Sequence, residues 1–122
     1  MKKKLIEKLT DYLQKNAQID AIFLYGSRAK KNARADSDID LAVLFATYLP
    51  GLDGLMRAQR LKQGIEETFN LYDQVDLVDA ELVPVPLQKA IIEGDKLDVK
   101  NDYHYHRFES SVVSKLEKDY EG

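Results

Sequence analysis

Two aspartates separated by one residue, Asp38 and Asp40, lead directly into the apolar segment 41–45. Alternation along a strand would place both side chains on one face, where two carboxylates repel each other and where a buried, unpaired carboxylate is costly. A divalent cation relieves both problems, and Mg²⁺ is commonly bound by one or two carboxylates together with substrate phosphates. The pair therefore predicts a magnesium site, provided that a phosphate-bearing ligand binds nearby.

A phosphate-binding turn is predicted just before this pair, where Gly26 and Ser27 end an apolar segment and ten residues separate Ser27 from Asp38. Glycine lets a ligand approach the backbone, and a short helix starting at Ser27 would direct N–H groups and the positive end of its dipole at an anion. The Ser27 hydroxyl can donate to a phosphate oxygen, and Arg28 is the best placed of four nearby cations. Taken alone, these features are equally consistent with a plain turn and a solvated cationic face.

The third candidate carboxylate is Asp76, in the short segment 73–79. If this strand lies beside the one that contains Asp40, three acids converge, and two metal ions roughly 3.5–4 Å apart can clamp an in-line phosphoryl displacement. Asp76 would act as a metal ligand or as a general base for the attacking hydroxyl. Asp79 is the competing residue, but alternation turns it to the opposite face. The alternative for these acids is a solvent-exposed strand edge or strand start.

Hydrophobic periodicity predicts the elements that must position these side chains. Helical spacing indicates helices over 4–16, 53–70 and 87–93, and a last helix marked by Phe108, Val112, Leu116 and Tyr120. Short β-rich segments indicate strands over 21–25, 37–45 and 73–79, with a short edge strand over 96–99, while Pro84 and Pro86 break the chain. Helices that alternate with short strands predict an α/β or α+β fold, a small sheet flanked by helices.

Two features near the C-terminus are interpreted as structural. The segment 103–106, which contains His104 and His106, is interpreted as a loop or helix lead-in, since no acidic cluster stands beside it in the sequence. The last helix is interpreted as a core-packing element, with partner recognition by that helix as the alternative.

Length and composition exclude several classes of protein. The 122 residues fit a single domain, 1–122. The absence of cysteine excludes a disulfide framework and fits a reducing cytoplasm. A net charge of −3 argues against a basic nucleic-acid-binding protein. No apolar run approaches the ~20 residues of a membrane span, and no apolar signal-peptide core follows the N-terminal lysines. We therefore expect a cytoplasmic protein with no membrane partner and no direct nucleic-acid partner.

The pattern of Gly26-Ser27, ten residues, and Asp38-Ile39-Asp40 resembles the signature of the nucleotidyltransferase superfamily that shares the fold of the DNA polymerase β palm. The short chain is similar to the minimal nucleotidyltransferases, the MNT family, which includes the antitoxins of HEPN/MNT toxin–antitoxin pairs. Asp76 matches the family's third carboxylate by strand position, and Lys31 stands where the family often has glycine.

The resemblance implies Mg²⁺-dependent transfer of AMP from ATP to a hydroxyl. It assigns the binding of two magnesium ions and catalysis to Asp38, Asp40 and Asp76, and the nucleotide contacts to Gly26, Ser27 and Arg28. It also implies a protein adenylyltransferase that modifies a tyrosine of a HEPN ribonuclease toxin, forms a hetero-oligomer with it and acts as its antitoxin. Two alternatives stay open: an antitoxin that acts by occlusion, and a nucleotidyltransferase for a small molecule such as an aminoglycoside.

Overall fold

In residues 2–26 and 38–121, which the computed structural model describes, four helices and four strands follow one another. In chain order they are α1 Lys2–Asn16, β1 Ile19–Tyr25, β2 Ile39–Phe45, α2 Gly51–Phe69, β3 Val75–Asp79, α3 Val85–Ile92, β4 Asp95–Val99 and α4 Asp102–Glu121. The elements predicted from periodicity are present, with shifted ends.

The strands form one mixed sheet in the order β3-β2-β1-β4. β2 pairs antiparallel with β1 and parallel with β3, while β4 pairs antiparallel with β1 at the far edge, as its short, charged sequence predicted. The parallel pairing places the starts of β2 and β3 at the same end of the sheet. The α+β class predicted from the sequence is therefore confirmed.

Helices cover both faces of this sheet, so the central strand β2 is buried on both sides. Its odd-numbered residues, from Ile39 to Phe45, pack in a cluster with α1 and α2, whereas Ala42 and Leu44 pack with α3 and α4. This division is the one that period-2 alternation predicted. Each large apolar side chain buried in this way contributes about 1.5–3 kcal/mol to folding.

The core-packing interpretation of α4 is confirmed. Phe108 and Val112 are buried, and Leu116 packs against the same cluster. The side chain of Tyr120, the fourth member of the predicted stripe, lies outside the described residues. No helix in the described part of the chain is both long and apolar enough to cross a membrane.

Several predicted boundaries were wrong, and two of them have a clear structural cause. The second strand was expected to start at Ser37, which lies outside the described residues, and to include Asp38, but β2 begins at Ile39, whose N–H donates to the Gln74 carbonyl as the first rung of the parallel ladder. The prolines were expected to break the chain before a helix at 87, but α3 begins at Val85 with Pro86 in its first turn. Proline fits there because its fixed φ suits a helix start and the first helical N–H groups have no intrahelical acceptor.

Candidate active site

Asp40 and Asp76 lie side by side at the start of the two parallel strands. They are register partners across the β2–β3 pairing, and alternation places both on the face that carries Ala42 and Val78. Asp40 is half-buried, whereas the Asp76 side chain is 51% exposed. Adjacent strands run roughly 4.8 Å apart, so the pairing of β2 with β3 holds the two carboxylates close together although their charges repel each other.

The surroundings of Asp40 make this end of the sheet strongly electronegative. Burial raises the pKa of the Asp40 carboxyl, and the negative charges of Asp76 and Asp38 raise it further. Tyr25, the register partner of Asp40 on β1, has its pKa raised to about 12 by burial and then by the charges of Asp40 and Asp76. Asp38 itself is exposed and precedes β2 by one residue. Such a site favours a bound cation.

Position 26 requires glycine because of its backbone conformation and its contact with Asp40. Its φ of +72° lies in the left-handed region that side chains other than glycine rarely adopt. A Cβ atom at this position would lie 2.5 Å from Oδ2 of Asp40. The turn after β1 therefore needs glycine for a reason that sequence analysis did not include, which is room for the carboxylate. Ser27, Arg28, Lys31 and the short helix predicted after Ser27 lie outside the described residues.

Lys62 is a candidate site residue that sequence analysis missed. Its Nζ lies 3.9 Å from Oδ1 of Asp76, and its side chain is 24% exposed. Lys62 belongs to α2, which packs beside β3, so only the three-dimensional arrangement brings the two charges together. The lysine balances part of the negative charge at this end of the sheet.

The donor set fits Mg²⁺ through its chemistry. Among the described residues, no group of three or more His, Cys, Asp or Glu side chains forms a complete metal cluster. Two neighbouring carboxylates are nevertheless what Mg²⁺ commonly takes from a protein, since substrate phosphates and water supply its remaining oxygen ligands. Burial, and then the charges of Asp76 and Asp38, raise the pKa of Asp40, and a bound cation would offset both causes.

The interpretation of the histidine segment was partly wrong. His104 lies in the first turn of α4, as a helix lead-in requires, but it has acidic neighbours. Its Nδ1 lies 2.7 Å from Asp20 Oδ2 and its Nε2 lies 3.2 Å from Glu81 Oε1. Asp20 is 84 residues away in sequence, so no local pattern could have indicated this cluster.

Comparison with known proteins agrees with this fold. Residues 7–104 match the family model described as polymerase beta, nucleotidyltransferase. The chain therefore belongs to this nucleotidyltransferase family, as the resemblance of its motifs predicted. Comparison with curated proteins gave no match.

Solved structures with a similar fold include chains of several toxin–antitoxin complexes. A toxin–antitoxin complex with AMP-PNP is 24% identical with a TM-score of 0.68, covering 95% of this chain and 86% of that chain. A tri-AMPylated Shewanella oneidensis HEPN toxin in complex with MNT antitoxin is 22% identical with a TM-score of 0.71, covering 97% of this chain and 88% of that chain. The toxin–antitoxin pair MntA-HepT is 23% identical with a TM-score of 0.67, covering 92% of this chain and 84% of that chain.

Proposed function

We propose that this chain transfers AMP from ATP to a tyrosine hydroxyl on a HEPN-family toxin and acts as its antitoxin. The observation that carries the proposal is the pairing of Asp40 with Asp76 at one end of the sheet in a member of the nucleotidyltransferase family. Structures with a similar fold, one with AMP-PNP and one with a tri-AMPylated HEPN toxin, support the choice of nucleotide and acceptor. The proposal includes a cytoplasmic, single-domain protein that forms a hetero-oligomer with the toxin.

In this proposal, Asp38, Asp40 and Asp76 would hold Mg²⁺, and Gly26, Ser27 and Arg28 would contact the nucleotide. The ions, two in the proposed site, would supply charge neutralisation at the phosphates and hold the reacting oxygens in line. Gly26 keeps the Asp40 carboxylate in place, because a side chain at this position would displace it. Asp76, whose side chain is more exposed than that of Asp40, would accept a proton from an incoming hydroxyl.

The proposed reaction forms one phosphorus–oxygen bond, breaks another and removes the proton of the acceptor hydroxyl. The acceptor oxygen attacks the α-phosphorus of ATP, the bond from that phosphorus to the bridging oxygen of the β-phosphate breaks, and pyrophosphate leaves. The hydroxyl proton passes to Asp76 and then to solvent. The partner gains an adenylyl group through a new phosphodiester bond.

The test is label transfer to the HEPN-family partner in a purified system. We expect ATP labelled at the α-phosphate to label that partner in the presence of Mg²⁺, and ATP labelled at the γ-phosphate to leave it unlabelled. Label from the γ-phosphate would indicate a kinase reaction. No label from either nucleotide, with both proteins folded, would refute the proposed transfer.

Neutralisation by occlusion is the second candidate, and the exposed apolar side chains Tyr48, Leu49, Leu82 and Tyr103, which lie away from the acids, favour it. The combined variant Asp38→Asn and Asp40→Asn separates the two mechanisms in cells that express the toxin. Survival at normal expression of this variant would support occlusion. Loss of neutralisation, with the complex still formed, would support catalysis.

A further inference from the structure

A cavity of about 660 Å³ opens at the end of the sheet opposite to Asp40 and Asp76. It is lined by the end of β2 at Phe45, the loop that follows β3, the first turns of α2 and one side of α4. β2 rises about 3.3 Å per residue, so the cavity lies roughly 15–20 Å from the paired acids. Neither Asp40 nor Asp76 contributes to its walls.

The wall of this cavity contains a buried polar atom for which the described residues supply no partner. Gln88 is only 3% exposed, and its Nε2 donates to the Ala80 carbonyl at 2.9 Å, but its Oε1 accepts no hydrogen bond from the described residues. The neighbouring Arg57 is already engaged, since its Nη2 donates to the Thr47 carbonyl at 2.8 Å and lies 4.0 Å from Asp79, and its guanidinium stacks on the Phe45 ring. Buried polar groups are normally paired, so the free acceptor of Gln88 points to a ligand that donates a hydrogen bond. A peptide N–H has this chemistry.

The rim of the cavity is apolar and aromatic. Nine large apolar side chains are exposed in the described part of the chain, and four of them line this cavity: Tyr48, Leu49, Leu82 and Tyr103. Tyr48 is 85% exposed and Tyr103 is 72% exposed. Clustered exposed apolar residues with a polar surround mark interaction sites, and tyrosine and arginine are enriched where protein partners bind.

Charge at the cavity favours an acidic ligand. Asp20 and Glu81 are both engaged by His104, and Asp79 accepts a hydrogen bond from the Glu81 N–H. Arg107, on the exposed side of α4, forms no ion pair with any acid whose side chain is described, and Lys115 lines the same wall two turns further on. The acids are therefore partnered, while positive charge is left at the rim.

We propose that this cavity is a docking groove for a segment of the HEPN-family partner that carries a carboxylate next to an apolar or aromatic side chain. A backbone N–H of the segment donates to Gln88, its carboxylate meets Arg107, and its apolar side chain packs on Tyr103. The identity of the partner rests on the proposed function. Docking at this distance from Asp40 holds the partner on the chain while leaving the acids free to receive an acceptor hydroxyl.

The test measures affinity for the purified HEPN-family partner, by titration calorimetry. We expect Tyr103→Ala and Arg107→Glu each to weaken binding by about thirtyfold, the size typical of central interface residues. Matched controls are Tyr72→Ala, another exposed tyrosine, and Lys118→Glu, a charge reversal on α4 outside the cavity. Both controls should bind within about threefold of the unchanged chain. All four positions are exposed, so the variants are expected to fold.

Binding of the groove variants at unchanged affinity would overturn the proposal, and so would a partner that does not bind the unchanged chain. Sedimentation velocity tests the alternative that a second copy of this chain occupies the groove. Self-association that Tyr103→Ala abolishes would assign the groove to that second copy. Measuring AMP transfer beside affinity separates this proposal from the proposed function. If binding depends on the groove but the unchanged chain transfers no AMP, the docking groove stands and the transfer reaction is refuted.

Discussion

Gly26 and Gly51 offer a matched pair of substitutions, because both glycines have a left-handed backbone and only one of them touches the acids. Their φ angles are +72° and +73°. A Cβ atom at Gly26 would lie 2.5 Å from Asp40 Oδ2, whereas a Cβ atom at Gly51 would meet no atom within 4 Å. Alanine at either position has the same unfavourable left-handed backbone conformation. The difference in activity between the two variants therefore isolates the contact with Asp40.

The expected magnitudes follow from these contacts. A left-handed conformation costs a residue other than glycine about 1–2 kcal/mol, so both Gly26→Ala and Gly51→Ala should lower the free energy of unfolding by that amount. In Gly26→Ala the Asp40 carboxylate must also move by about 1 Å to restore an ordinary contact distance. A displacement of this size in a reacting centre costs up to about 10²-fold in rate. We therefore expect AMP transfer to fall by roughly 10²-fold in Gly26→Ala and to stay within about twofold in Gly51→Ala.

The assay combines urea unfolding with the initial rate of AMP transfer at saturating ATP and Mg²⁺. Equal losses of stability with unequal losses of rate would support the role of Gly26 in seating Asp40. Full activity of Gly26→Ala would refute this reasoning. An equal loss of activity in Gly51→Ala would also refute it, because backbone strain alone would then explain the effect.

Three further predictions concern stability. The pKa of His104 is lowered by burial but raised more by its hydrogen bonds with Asp20 and Glu81, so it lies above 6.5 in the folded chain. Its stabilising effect is therefore complete below pH 6.5 and is lost as the pH rises through the folded-state pKa. The free energy of unfolding of the unchanged chain should exceed that of His104→Gln by about 1 kcal/mol at most near pH 6, with a smaller difference near pH 9; a difference independent of pH would contradict this sign. Asp40→Asn should raise the stability measured without Mg²⁺, because burial and neighbouring acids disfavour its charge above pH 3.8; a less stable variant would argue against this strain. Gly94→Ala should lower the free energy of unfolding by about 1–3 kcal/mol in urea, because a Cβ there would lie 2.4 Å from the Leu24 carbonyl oxygen; an unchanged midpoint would contradict the close packing of Gly94 on β1.

The parts of the structure that depend on local periodicity could be predicted from the sequence. Alternation in β2 correctly assigned Leu41 and Val43 to one face and Ala42 and Leu44 to the other. The same rule predicted that Asp76 shares a face with Asp40 if their two strands are neighbours, and the two strands do pair. These features need only the strand period and a burial argument.

The parts that depend on contacts distant in sequence could not be predicted. Lys62 reaches Asp76 only because α2 packs beside β3. The contact between Gly26 and Asp40 depends on the pairing of β1 with β2, and the pair formed by His104 and Asp20 joins opposite ends of the chain. No spacing rule encodes such contacts, since they result from how the layers pack.

The most direct test of the central claim is the intact mass of the HEPN-family partner after incubation with this chain, ATP and Mg²⁺. The account predicts a mass increase of one or more adenylyl groups with the unchanged chain and with Asp11→Asn, a control at an exposed aspartate of α1. It predicts a loss of about 10²-fold or more in the rate of that increase with Asp40→Asn or Asp76→Asn, since removal of a metal ligand forfeits several kcal/mol of transition-state stabilisation. An unmodified partner with the unchanged chain, or equal modification by all four proteins, would contradict it.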